Sequence, residues 1–327
     1  MRFNLYSLPL QRTLRAAADS INTGKTSMTT KKSLTELTNE VLNSRMSAAK
    51  KAQALVKLGV TPYEAMVLAR TFIPTTTPRT PRVAFSYTFG VEMETVNCDR
   101  TDFMSTARAN GLQVFNQVFY NHNDMNLFKL VPDSSLSGHM PAECVSPALN
   151  SNARGFGSLK ACCKTLRDIH ATVNRTCGLH VHIGAKDLSE QEYCNVFLNY
   201  KMMETAIDSF MAPSRRESNS RWCRSLNGYS LENCHTRESV LRTLCGDRYH
   251  KVNPCSWGRH KTIEFRQHAG TINYKKVEAW VKFLGKLVGW SKSNRLTESI
   301  TRIEDIPFLT QQEKNYFCGR RAALQGC

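Results

Sequence analysis

The chain has 327 residues, 41% of them hydrophobic, and a formal net charge of +17. That length suits one large domain with an appendage, or two domains, and with no run of about 18 or more apolar residues no membrane-spanning helix is expected. Twelve cysteines are scattered without zinc-ribbon spacing, so the chain reads as cytoplasmic, with reduced thiols serving as small core residues.

Residues 1–32 are rich in Arg, Ser and Thr and nearly free of acids. They lack the long apolar core and small-residue cleavage site of a secretory signal, and read as a basic, flexible tail. Residues 1–82 hold 13 Lys and Arg against 4 Asp and Glu, a net of +9, and the rest of the chain holds the remaining +8. A basic extension of this kind is either a solvated segment or a contact for nucleic acid or another acidic surface. Ser33-Leu-Thr-Glu36 fits a capping box. Leu34, Leu37, Val41 and Leu42 follow at helical spacing, then Ala49 to Leu58 up to Gly59, and Thr61-Pro62 opens a further short helix. Residues 33–73 are therefore expected to form a small helical segment. Residues 74–82 form a linker, since Pro74, Pro78 and Pro81 forbid a regular helix or central strand.

The main domain is expected over 83–327. Val83 to Val96, Leu127 to Val131, Glu143 to Ser146, Leu179 to Ile183 and Thr262 to Arg266 read as strands. Leu159, Cys162, Leu166, Ile169 and Val173 mark an amphipathic helix. A second capping box, Ser189-Glu-Gln-Glu192, opens a helix through Ile207, and Lys276 to Trp290 is another. Residues 213–260 read as loops with one helix near Arg237 to Leu244. Short strands interspersed with helices, and polar on one face, point to an α+β fold whose sheet has a working face.

Three strands carry the chemistry. Glu92-Met-Glu94, His180-Val-His182 and Glu264-Phe-Arg266 each place two polar groups at i and i+2, on one side of the sheet, while Met93, Val181 and Phe265 point to the other. Any one such pair is ordinarily a solvent face. Together they differ, because apolar Val91, Leu179, Ile183 and Ile263 flank them and the polar groups bind metal or phosphate. Carboxylates suit hard cations such as Mg²⁺, and Arg offers a planar fork for phosphate. That mixture suits phosphoryl transfer. Asp133, after a strand, and Glu143, before Pro147, are two further acids in promising settings.

At these residues the chain resembles a known family. Phe89-Gly-Val-Glu-Met-Glu94, Cys177-Gly-Leu-His-Val-His-Ile183 and Thr262-Ile-Glu-Phe-Arg-Gln-His-Ala-Gly-Thr271 resemble the metal-binding strands of glutamine synthetase and glutamate–cysteine ligases. In wording and order they are most similar to the amidoligase family of that superfamily. Asp133-Ser-Ser-Leu136, Glu143-Cys-Val-Ser-Pro147 and Arg248-Tyr-His-Lys-Val-Asn253 fit it too, over about residues 85–290. The resemblance implies a curved, largely antiparallel sheet with flanking helices, holding ATP and Mg²⁺ or Mn²⁺. It implies that Glu94 and Glu143 hold one metal, and Glu92, His180 and Glu264 another. His182 would lie near the ATP phosphates and Arg266 would stabilise the transferred phosphoryl group. Asp133, Asn253 and Arg221 are carried over as further contacts, Arg221 for substrate. The implied reaction joins a carboxylate to an amine through an acyl phosphate. The donor and acceptor are open among small amino acids, peptides and protein side chains. Where the pattern leads one to expect Gly before Thr262 the chain has Lys261, which alters the turn or reaches a phosphate.

The residues leave three rival readings. His180 and His182 with a carboxylate suit a zinc hydrolase, Cys177 beside them a thiol enzyme, and the basic extension an inactive ligase that binds nucleic acid. His139, His235 and His260 read as surface or loop histidines.

Overall fold

The computed structural model describes residues 34–44, 47–63, 65–66, 85–115 and 126–325. The expected tail, 1–32, and linker, 74–82, lie outside them. The chain divides into two compact units, Met1–Arg79 and Thr80–Cys327.

In the first unit, helices α1 (Leu34–Asn43) and α2 (Ala48–Lys57) bury Leu42 and Leu55 together with Ala65. The periodicity expected between 34 and 58 is thus split into two helices. Lys51 reaches back from α2 to give its ammonium to the Leu42 carbonyl at 2.6 Å, satisfying an acceptor that the end of α1 leaves without a helical partner. Gly59, at φ 91°, ends α2, a backbone state that costs glycine little.

The second unit is α+β. Its eight-stranded sheet consists of β1 (Thr88–Thr95), β2 (Val114–Phe115), β3 (Phe128–Val131), β4 (Ala142–Val145), β5 (Leu149–Asn150), β6 (Gly178–Gly184), β7 (Val252–Asn253) and β8 (Thr262–Ala269). The order is β2-β3-β4-β1-β6-β8-β7, with β5 pairing the start of β1. Only β2–β3 is parallel; every other pairing is antiparallel.

The helices are α3 (Arg100–Ala109), α4 (Ala153–Asp168), α5 (Glu190–Asp208), α6 (Arg237–Thr243), α7 (Ser256–His260), α8 (Tyr274–Ser291) and α9 (Gln311–Gln325). The Ser189 capping box is present at the start of α5. Helix α4 stops at Asp168, short of the apolar repeat read through Val173, and Val173 is exposed. Three helices escape apolar periodicity: α3, signalled by its cap Asp99, whose carboxylate accepts from Thr101 and Asp102 N–H, the five-residue α7 in a stretch read as loop, and α9.

Met93, Val181 and Phe265 are buried on the helix-covered side. Phe156 of α4 stacks on Phe89 at 5.0 Å and Tyr200 of α5 packs on Phe265 at 5.6 Å. Helix α9 completes the core, Phe317 meeting Phe210 at 4.5 Å and Phe283 at 5.4 Å. Each such ring contributes about 1.5–3 kcal/mol by leaving water. With one face sealed by helices, the polar side chains of the same strands are turned to the other.

Candidate active site

The central strands line up the polar pairs by register. Glu94 lies opposite Glu143, Glu92 opposite His180, and His182 opposite Glu264. Directly opposed residues in an antiparallel pair share a face, so the three i, i+2 pairs merge into one cluster. A bulge near Leu179 sets Arg266 and Gln267 against His180, since Phe265 pairs with Val181 but His268 pairs with Leu179. Alternation past Arg266 would bring His268 into the site. The extra residue instead turns it to the helices, where its ring lies 6.0 Å from Trp280.

His180 is the hub. Its Nδ1 is 3.2 Å from Glu92 and 3.8 Å from Glu264, and its Nε2 is 3.5 Å from Glu94. Two sets of ligand atoms result, Glu92–His180–Glu264 and Glu94–Glu143–His180, each with all members within 4.8 Å of one another. Around them the contacts are dense. Gly178 N–H donates to Glu94 at 2.5 Å, Arg266 to Glu264 at 2.5 Å, and Asn253 Nδ2 also donates to Glu264. Thr262 Oγ1 bonds Nδ1 of His182 at 2.9 Å, which aims the other ring nitrogen at the cluster. That Nε2 is buried and lacks an aligned hydrogen bond, although Glu92 Oε1 is 3.3 Å away.

The electrostatics follow from burial and neighbours. Burial opposes ionisation of Glu92, yet the close approach and charge of His180 and His182 hold it well below the usual carboxylate range. Glu264 is also buried, and the Arg266 guanidinium, with His182, holds it low. Burial would lower His182, but Glu92 outweighs it and raises it. Glu143 has no such help. Burial, then the charges of Glu92, Glu94 and Asp133, push it well above its ordinary value. Buried carboxylates without enough cationic charge are costly. The donor set, oxygen-rich with one central imidazole and an orphaned second one, fits hard divalent cations. Tetrahedral zinc sites favour shells richer in His and Cys.

Every site residue named from the sequence lines one cavity of about 950 Å³: Glu92, Glu94, Asp133, Glu143, His180, His182, Arg221, Asn253, Glu264 and Arg266. Asp133 is on the rim, where Oδ1 accepts from Ser135 N–H at 2.7 Å. Arg221 is exposed on the rim, its guanidinium 4.5 Å from the centre of the Trp222 ring. The structure adds Arg215, Arg248, Arg259, Trp222, Tyr249 and His260 to the lining. His260, expected as a surface or loop residue, stands 5.8 Å from the His182 ring. Arg259 and His260 belong to the short α7 and the others to segments of little regular structure; the Arg248-to-Asn253 motif signals Arg248 and Tyr249, and only the density of Arg between 215 and 259 marks the other arginines.

A second cavity of about 330 Å³ adjoins the first and shares Glu92, His182 and His260 with it. Val145, Pro147 and Ala148 form its apolar walls, with Gly90, Lys129, Lys186 and Lys261 also in the lining. Lys261 is left-handed, at φ 55° and ψ 36°. A side chain thus occupies a turn where glycine is the unstrained choice.

Cys177 is fully buried, and burial pushes its thiol up. Its Sγ turns to Asn174, 3.6 Å from Oδ1. A buried thiol held in this way is a packing residue rather than a nucleophile.

The family model described as "Putative amidoligase enzyme" matches residues 86–288, the span that contains every one of these side chains. The chain belongs to this amidoligase family. A ligase-type function in general goes with that membership. Among curated proteins no match to the chain was found. No helix among the described residues of this amidoligase is long and apolar enough to cross a membrane.

Proposed function

We propose that this amidoligase is an ATP- and Mg²⁺-dependent carboxylate–amine ligase, with residues 83–327 as the catalytic domain. The observation that carries the reading is the convergence of two ligand sets on His180, with Arg266 beside them. Mg²⁺, or Mn²⁺ in its place, supplies charge neutralisation for phosphate oxygens when bound. Glu94 and Glu143 would hold one ion and Glu92, His180 and Glu264 the other. Gly178, His182 and Asn253 orient these donors through the contacts given above, as outer partners of a metal site do.

The smaller, apolar cavity suits the ring of a nucleotide, with Lys186 and Lys261 in its lining to meet phosphates. The larger cavity suits the carboxylate and amine substrates. In the first step an oxygen of the carboxylate bonds to the γ-phosphorus and ADP leaves, giving an acyl phosphate. In the second, the amine nitrogen bonds to the acyl carbon, phosphate leaves, and the nitrogen gives up a proton. Arg266 faces the oxygens that gain charge during phosphoryl transfer, a role in which a guanidinium is effective.

The test is Mg²⁺-dependent ADP release from ATP across a panel of carboxylates and amines. Wild type is expected to release ADP with at least one pair, and Glu94→Ala and Arg266→Ala to abolish release while remaining folded. Full activity in either variant would remove that residue from the site, and stoichiometric, tightly bound zinc in the purified protein would favour hydrolysis.

A further inference from the structure

Beneath the arginine-bearing wall lies a buried ionic cluster that the metal and phosphate chemistry does not use. Helix α5 presents Tyr200, Glu204 and Asp208 at four-residue spacing, a single stripe along the helix. Lys251 is fully buried, with its ammonium 2.8 Å from Glu204 and 2.7 Å from Asp208. Gln267, also fully buried, bonds Asp208 and Tyr200 and donates to the Arg215 carbonyl at 3.0 Å.

The partners of this cluster fall in a pattern. Glu204 accepts from Ser225 Oγ at 2.5 Å and from Leu226 N–H at 2.8 Å, and Asp208 accepts from Glu217 N–H at 2.7 Å. The Lys251 backbone donates to the Arg224 carbonyl and accepts from Arg266 N–H, both at 2.9 Å. Each tethered segment borders a cationic residue of the large cavity: Arg215 itself, Arg221 before Ser225, Arg248 before Lys251, and Arg266. The loops have little regular structure to fix them. Hydrogen bonds from one helix stripe reach each of these segments, directly or through Lys251 and Gln267.

A hydrophobic replacement of a buried ion cluster is often neutral or stabilising, so its presence is weak evidence for stability and better evidence for a specified geometry. We propose that Lys251, Glu204 and Asp208 are positioning residues that set the arginine wall, and so govern affinity for an anionic ligand without touching the divalent-ion site. The divalent site is built from β1, β4, β6 and β8, whereas the wall, Arg266 of β8 apart, lies in segments tied to the α5 stripe. The two properties should separate.

Inorganic tripolyphosphate serves as the anion probe and Mn²⁺ as the ion probe, each titrated by calorimetry on the full chain. Neither measurement requires turnover, so a failed ligase assay and a failed positioning assay are distinguishable. Lys251→Met, similar in length but uncharged, is expected to weaken tripolyphosphate at least 10-fold and leave Mn²⁺ affinity within twofold. Hydrogen exchange should quicken in 215–226 and 246–253 and stay unchanged in α8. Ser225→Ala, which removes one hydrogen bond and keeps the ion cluster, should weaken tripolyphosphate about threefold with Mn²⁺ again unchanged, and it decides the matter if Lys251→Met does not fold. Unchanged tripolyphosphate affinity in a folded variant, a parallel loss of both affinities, or a wild type that does not bind tripolyphosphate would each overturn the assignment.

Discussion

The clearest perturbation of the site is a single methyl group at Gly178. Its N–H donates to Glu94, and an added Cβ would lie 2.9 Å from His180 Nε2 and 3.3 Å from Glu94 Oε2. Ordinary contact begins at 3.4 Å, so the methyl lacks about 0.5 Å against the imidazole that both ligand sets share. The backbone there is not left-handed, so Gly178→Ala acts through the site rather than through strain. Overpacking of this kind costs about 1–3 kcal/mol, offset by about 0.5–1 kcal/mol because alanine loses less chain entropy than glycine in a strand. The balance is a loss of up to about 2.5 kcal/mol, which lowers the melting temperature by up to about 10 °C in a domain of this size. Displacing an outer partner of a metal ligand costs about 10–100-fold in metal affinity. Gly178→Ala should therefore bind Mn²⁺ at least 10-fold more weakly by electron paramagnetic resonance titration and release ADP correspondingly slowly. Gly90→Ala is the control, because its Cβ would meet Ser146 Oγ at 3.7 Å and His182 Cβ at 3.8 Å, ordinary contacts. Wild-type Mn²⁺ affinity in Gly178→Ala, or an equal loss in Gly90→Ala, would refute the reasoning.

Glu143 is held well above its ordinary value by burial and then by Glu92, Glu94 and Asp133. A raised folded-state pKa means the carboxyl adds no penalty below the unfolded value and an increasing one as pH rises above it. Glu143→Gln should then melt higher than wild type at pH 8 in EDTA, with the difference vanishing near pH 4, and should lose Mn²⁺ binding; an unaltered melting difference across that range counts against the cluster. His268 behaves oppositely, since burial first, then Arg320, pushes its pKa down to about 3. Stability it lends is complete above about pH 6.5 and is lost as pH falls toward 3, the loss amounting to about 2 kcal/mol by pH 5. His268→Gln should flatten the melting curve between pH 7 and 5, and an unchanged slope would place the imidazole outside the core. Cys177→Ser should keep ADP release within twofold of wild type, and a loss beyond 10-fold would restore thiol chemistry to the site.

The clustering of the candidate site's side chains was legible in the chain because its parts are local. Glu92 and Glu94, His180 and His182, and Glu264 and Arg266 declare a common side through the two-residue period of a strand, with Met93, Val181 and Phe265 declaring the other. The capping box at Ser189 placed α5 for the same reason: its hydrogen bonds span only a few residues. The short α3 and the polar α9 gave little periodic signal, and β2, β5 and β7 are only two residues long.

Sequence by itself determined which residues share a strand face, where the main helices begin, and which chemistry those side chains suit, since these depend on neighbours within a turn or two of chain. Only the tertiary structure decided that β4, β1, β6 and β8 lie side by side in a register that sets Glu94 against Glu143 and Glu92 against His180. It also decided that a bulge sends His268 to the core while Arg266 stays in the cavity. The loop arginines and His260 reach the site through contacts with distant segments, such as Lys251 with Glu204, and no short-range rule encodes which distant segments will meet.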